Sequence, residues 1–211
     1  GASTATARGL ADGDGTEMQY WSLDGKTKYA TAPTDNKTIV VYYTFDASSK
    51  TVKSAAVMNP QTQEDLAVVM PSELDVRHIA DNAFQNDFLV TSLELPGTLE
   101  SIGSNAFLLP KLKKLTFTGR LNTAVKIADD AFTAGTLLTD ETSTVNFTVD
   151  GNMDSSYDPI DVSYSFCPAK KVLNVTGIEN KGIGTELQIL GSIKLSSQLS
   201  ADDCRLNGKL R

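Results

Sequence analysis

Three groups of side chains in this 211-residue chain have types and spacings that could do chemistry. The first is Asp150-Gly151-Asn152-Met153-Asp154-Ser155-Ser156-Tyr157-Asp158-Pro159-Ile160-Asp161, with oxygen side chains at positions 1, 3, 5, 7, 9 and 12. That is the spacing of a calcium loop, and Asp150, Asn152, Asp154, Asp158 and Asp161 are its candidate ligands for a structural ion. Two features depart from the pattern: the glycine of position 6 is Ser155, and the glutamate of position 12 is the shorter Asp161. Strand-like sequence also precedes the loop, where a helix would lead into an EF-hand. The plainer reading is an inserted acidic loop. The second group is His78, the one histidine, through which any histidine-dependent catalysis would have to run. The third is Tyr20, Trp21 and Tyr29, whose rings could stack on a sugar or anchor a protein. Packing in the core is the commoner fate of a lone tryptophan.

Beyond these, catalytic signatures are missing. The chain contains no G-x-S-x-G, no phosphate-cradling glycine loop and no C-x-x-C, and its acids stand at no recognisable paired offset. The reading is therefore a protein that is not an enzyme and needs no cofactor. Net charge is −7, from 26 acidic and 19 basic residues, and the lysines and arginines are scattered. That leaves no basic footprint for a phosphate backbone, so nucleic acid is not an expected partner. No apolar run is long enough to span a bilayer as a helix.

What must position these groups is a repeat. VRHIADNAF (Val76 to Phe84), LESIGSNAF (Leu99 to Phe107) and VKIADDAF (Val125 to Phe132) each place an isoleucine five residues before a phenylalanine. The phenylalanines are 23 and 25 positions apart, a leucine-rich-repeat period. Alternating apolar runs lie between the copies: Val68-Val69-Met70, Leu93-Glu94-Leu95, Leu115-Thr116-Phe117 and Val145-Asn146-Phe147-Thr148-Val149. Period two marks strands with one buried face. Ser-Asn-Ala and Asp-Asn-Ala before the phenylalanines read as caps opening one helical turn. A unit that cannot bury its apolar face alone must stack on its neighbours, which predicts a solenoid. Within the alignment His78 stands opposite Ser101 and Lys126, so it reads as a solvated position.

The pattern Leu93-Glu94-Leu95-Pro96, Leu99, Ile102-Gly103 and Ala106-Phe107 resembles the BspA-like leucine-rich repeats of bacterial surface proteins. The resemblance covers roughly Val68 to Gly135. It departs where glycine is replaced by Ala80 and Ala128, and where proline is missing after Phe117. A degraded fourth coil is expected to end at Ser165-Phe166-Cys167, 34 residues after Phe132. The resemblance implies a β-rich leucine-rich-repeat solenoid, a short right-handed coil of strands with one-turn helices on the convex side, flanked by β-hairpin caps. It also implies an exported bacterial cell-surface or extracellular protein with an adhesion role and an extracellular protein as partner; a glycan partner is the alternative that the hairpin aromatics raise.

The expected organisation is a linker over 1–15, a hairpin cap over 16–65, the solenoid over 66–176 and a C-terminal β cap over 177–211. Asp24-Gly25 supplies the tight turn of a first hairpin, and Asp46-Ala47-Ser48-Ser49 turns a second. Gly1-Ala2-Ser3 reads as a scar of tag removal on a mature chain whose export signal, and any lipid anchor of a surface lipoprotein, was excluded. Cys167 and Cys204 could pair in an oxidising compartment or remain two reduced thiols.

If strands stack in this way, residues between the buried positions form one exposed column. That column is Val69, Glu94, Thr116, Asn146 and Asn174, flanked by Ser92, Lys114 and Thr148. Sheet faces of repeat proteins are recognition surfaces, so the column is the candidate site for a protein ligand. The competing site is the set Tyr20, Trp21 and Tyr29, as a platform for glycan.

Overall fold

The computed structural model describes residues 10–11, 17–23, 26–31, 40–58, 66–70, 74–84, 90–132, 136–154, 156–180 and 187–205. An antiparallel run opens the chain: β1 (Leu10–Ala11), β2 (Glu17–Leu23), β3 (Lys26–Thr31), β4 (Val40–Asp46) and β5 (Thr51–Met58). For β1, β2 and β3 the backbone alone is described. Long and short strands then alternate: β6 (Leu66–Val69), β7 (His78–Ile79), β8 (Val90–Pro96), β9 (Ser101–Ile102), β10 (Lys114–Arg120), β11 (Lys126–Ile127) and β12 (Thr144–Asp150). After β12 come β13 (Ile160–Cys167), β14 (Val172–Asn180), β15 (Ile193–Lys194), β16 (Ser200–Ala201) and β17 (Asp203–Arg205).

Two sheets result. The eight-stranded sheet runs β1-β2-β3-β4-β5-β7-β9-β11, and the seven-stranded sheet runs β17-β14-β13-β12-β10-β8-β6. From β6 to β12 the long strands are all parallel, and so are β5, β7, β9 and β11. Each turn of chain thus gives one strand to each sheet, which is a stacked-coil β-solenoid of about three turns. Sequence repetition is the cause. In the seven-stranded sheet Val68, Leu93, Leu115 and Val145 point inward, and in the other Ile79, Ile102 and Ile127 do the same.

The third side of each coil corrects the expected one-turn helices. Among the described residues helix is confined to short 3-10 stretches such as Leu137–Thr139. Phe84, Phe107 and Phe132 instead form a ladder of single parallel bridges that begins at Ala55. In the first two copies the physical reason is the asparagine before the Ala-Phe pair; the third copy has Asp130 there. Asn82 and Asn105 sit at φ of 57° and 52°, so each turns the chain through the left-handed region and returns it extended. The Phe84 amide then donates to the Ala106 carbonyl at 2.7 Å, and the Phe107 amide to Ala131 at 2.9 Å. The rings follow the ladder: Phe84 lies tilted against Phe107, with centroids 5.0 Å apart and 40° between planes, and Phe107 stacks on Phe132 at 5.2 Å and 17°.

Gly103, the one glycine at its repeat position, has a local cause. An added Cβ would collide with the Asp81 carboxylate, which reaches across the coils to accept the Ser104 amide at 2.8 Å. Ala80 and Ala128 occupy the equivalent places in the other copies.

The expected fourth coil is also corrected. β13 runs antiparallel to β12, and β14 antiparallel to β13, so parallel coiling stops at β12. Residues 187–201 occupy the place beyond the third coil. The Gln198 side-chain amide accepts the Phe132 N–H at 3.3 Å and donates to the Phe132 carbonyl at 2.9 Å, as the next strand would. The Ser197 amide donates to Asp129, and Leu199 and Ala201 are fully buried. The Leu190 amide donates to the buried Tyr164 hydroxyl at 3.0 Å, which pins the same segment to β13.

Candidate functional site

Strand alternation on β8, β10 and β12 buries every second side chain and turns the others to the outer face of the seven-stranded sheet. Register then aligns them. Val69 pairs with Glu94, Glu94 with Thr116 and Thr116 with Asn146. Asn146 pairs with Ser165, and Ser165 with Asn174. The four residues of the anticipated column from Val69 to Asn146 are therefore adjacent. Asn174 belongs to the row too, but one strand further out, because Ser165 stands between. Sequence reasoning missed Ser165 by assigning its strand to a coil; its alternation in S-Y-S-F was the available signal.

The row crosses six strands, about 24 Å at the usual strand spacing. Its chemistry is polar and local. The Asn146 amide donates to the Thr116 hydroxyl at 3.2 Å. Val69, 51% exposed, is the row's apolar end. Of the flanking residues, Ser92 and Lys114 pair in the next row out. On the other side the Thr148 and Ser163 hydroxyls stand 2.8 Å apart. Such a surface can offer donors and acceptors at strand spacing to a partner. It offers no aromatic anchor among these residues.

The other expected sites come out differently. The register of the first hairpin places Tyr20 opposite Tyr29 and Trp21 opposite Lys28. The side chains of Tyr20, Trp21 and Tyr29 lie outside the described residues. In the acidic loop, Asp150 accepts the amides of Asn152 and Ile160, Asn152 accepts that of Asp154, and Asp154 accepts that of Ser156. The Asn152 side chain also donates to the Asp158 carbonyl. These side chains hold successive turns. Asp161 lies on β13 and accepts the Arg120 guanidinium at 2.7 Å, which raises the arginine's pKa above its ordinary value. Among the described residues no three His, Cys, Asp or Glu side chains gather as a metal site.

His78 pairs in the ladder with Ser101, and Ser101 with Lys126, as the repeat alignment requires. Its Nδ1 lies 2.7 Å from the Ser101 hydroxyl, and Nε2 lies 3.9 Å from Glu100. Acyl transfer would also need donors aimed at an oxyanion. The amides of Ala80, Gly103 and Ala128 beside this pair all donate within the coil ladder. His78 is thus a hydrogen-bonded member of a half-exposed row. Cys167 is a free thiol whose sulfur donates toward the carbonyls of Asp140 and Glu141. No helix among the described residues is long and apolar enough to cross a membrane. Comparison with protein-family models, curated proteins and solved structures gave no match to this chain.

Proposed function

We propose that this chain is a non-catalytic interaction module of the BspA-like leucine-rich-repeat kind. It would be exported to a bacterial surface and bind an extracellular protein through the outer face of the seven-stranded sheet. One observation carries the reading. Six consecutive strands hold Val69, Glu94, Thr116, Asn146, Ser165 and Asn174 in one row, while the opposite face of the same strands is core. A row of this kind offers regularly spaced contacts without disturbing the fold, the usual basis of recognition by repeat proteins. The hairpin strands β2 to β5, added edge-on to β7, act as the N-terminal cap.

The test is binding of the intact chain to purified collagen, laminin and fibronectin, repeated with a Thr116→Arg/Asn146→Arg double variant. Binding to one of them that the double variant abolishes supports the proposal. Failure to bind any of the three, or binding that survives the double variant, sinks it.

A further inference from the structure

The open face ends in a groove that the row does not use. It has a volume of about 690 Å³ and lies over the ends of β10, β12, β13 and β14. Two irregularities make it concave. The register of β10 against β12 shifts between Thr116 and Arg120, and that of β13 against β14 shifts beside Ser163. Bulges bend strands and re-aim side chains, which is why they recur beside binding sites. Gly119 sits in the first bulge at φ +67°, and Gly177 in the second. A Cβ at either position would meet no atom within 4 Å, so the space above both glycines is open. Beneath the first bulge, Gly97 packs against the Thr118 and Arg120 carbonyls and holds the bend in place.

The groove wall is mixed in polarity. Arg120 donates through Nε to Asp161, which leaves the four N–H groups of its two Nη atoms. Asp161 and Glu179 supply carboxylate acceptors, Thr98 supplies a hydroxyl, and the mutually bonded Thr148 and Ser163 hydroxyls keep one donor and further lone pairs between them. One guanidinium faces two carboxylates in the lining, and Asp150 lies opposite Asp161 in the ladder. The local charge is therefore negative, which disfavours an anion. Both hydrogen-bonding senses are present at close spacing, which suits a neutral ligand rich in hydroxyls. A vicinal diol can donate to a carboxylate while accepting from the guanidinium.

We propose that this groove is a binding site for a neutral saccharide unit, next to the protein-binding row, whose flanking Thr148 and Ser163 it shares, and apart from the hairpin aromatics. The experiment is a titration of the isotope-labelled intact chain, followed through its backbone amide resonances. Probes are maltotriose, cellotriose and mannotriose, with digalacturonate as the anionic control and cadaverine as the cationic one. The expected result is a saturable shift of Gly119, Thr148, Ser163 and Gly177 by a neutral trisaccharide, with a Kd on the order of millimolar. Gly177→Val fills the groove at a backbone angle that valine tolerates, and should weaken that binding about tenfold or more while the remaining spectrum is retained. Asp161→Asn should weaken it as well. No shift with any trisaccharide, preference for either charged probe, shifts confined to Tyr20–Tyr29, or binding untouched by Gly177→Val would each overturn the proposal.

Discussion

Phe107 is fully buried and has a phenylalanine on each side, Phe84 at 5.0 Å and Phe132 at 5.2 Å between centroids. Phe107→Ala removes a whole buried ring and leaves a cavity that neighbouring coils cannot close without breaking their ladder. The expected loss is about 3–5 kcal/mol, toward the upper end because two ring contacts go with it. Stacking is separable from burial by using leucine, which keeps most of the apolar volume. In double-mutant cycles of Phe→Leu changes, the pairs 84/107 and 107/132 should couple by about 0.5–1.5 kcal/mol each. The pair 84/132 is two coil spacings apart, about 10 Å, and should be additive within ~0.5 kcal/mol. Urea unfolding followed by circular dichroism supplies these values, with the m-value checking that the denatured state is unchanged. Equal coupling for all three pairs, or a Phe107→Ala cost below ~1.5 kcal/mol, would refute the stacked-coil reasoning.

Three further outcomes follow from the same geometry. Gln198→Ala deprives Phe132 of both side-chain hydrogen bonds and should cost about 1–3 kcal/mol, with faster hydrogen exchange at the Phe132 amide; an unchanged exchange rate there would show that the segment does not close the ladder. Asn105→Ala forces a Cβ residue without a local polar side chain into the left-handed region and should cost about 1–2 kcal/mol, whereas Asn105→Gly should be nearly neutral, a contrast that thermal unfolding would detect. Asp75 is held below its ordinary pKa of 3.8, first by the hydrogen bond from Lys50 and then by that from Arg77. Its folded value lies under its unfolded one, so the pairing stabilises the protein above about pH 4 and is lost as pH falls through the folded value. A carboxyl titration by NMR should place Asp75 below an exposed reference aspartate, and Asp75→Asn should flatten the acid side of the stability curve.

Much of this architecture was legible in the residues. Ile79, Ile102 and Ile127 and the three phenylalanines repeat at a spacing that stacking explains, and alternation named five of the six residues of the outer row, Ser165 being the one missed. The helical turn was misread because asparagine serves equally as a helix cap and as a left-handed turn residue, and Asn-Ala-Phe carries no local mark of the choice. The fourth coil was misread for a related reason. Alternation in Ile160–Cys167 marks a strand but says nothing of whether its neighbour runs parallel or antiparallel. Contacts such as Arg120–Asp161 and Phe132–Gln198 join residues 41 and 66 positions apart, and no short-range pattern encodes them. The groove depends on register shifts, which are likewise properties of paired strands and not of one segment.

The central claim, recognition through the seven-stranded sheet, is tested most directly by mapping a bound partner onto the intact chain. Amide resonances would be followed while the matrix protein that binds is added. Perturbation should centre on Glu94, Thr116, Asn146 and Ser165 and fade toward the edges of the row. Perturbation centred on Tyr20, Trp21 and Tyr29, with the row unmoved, would contradict it and move the site to the first hairpin.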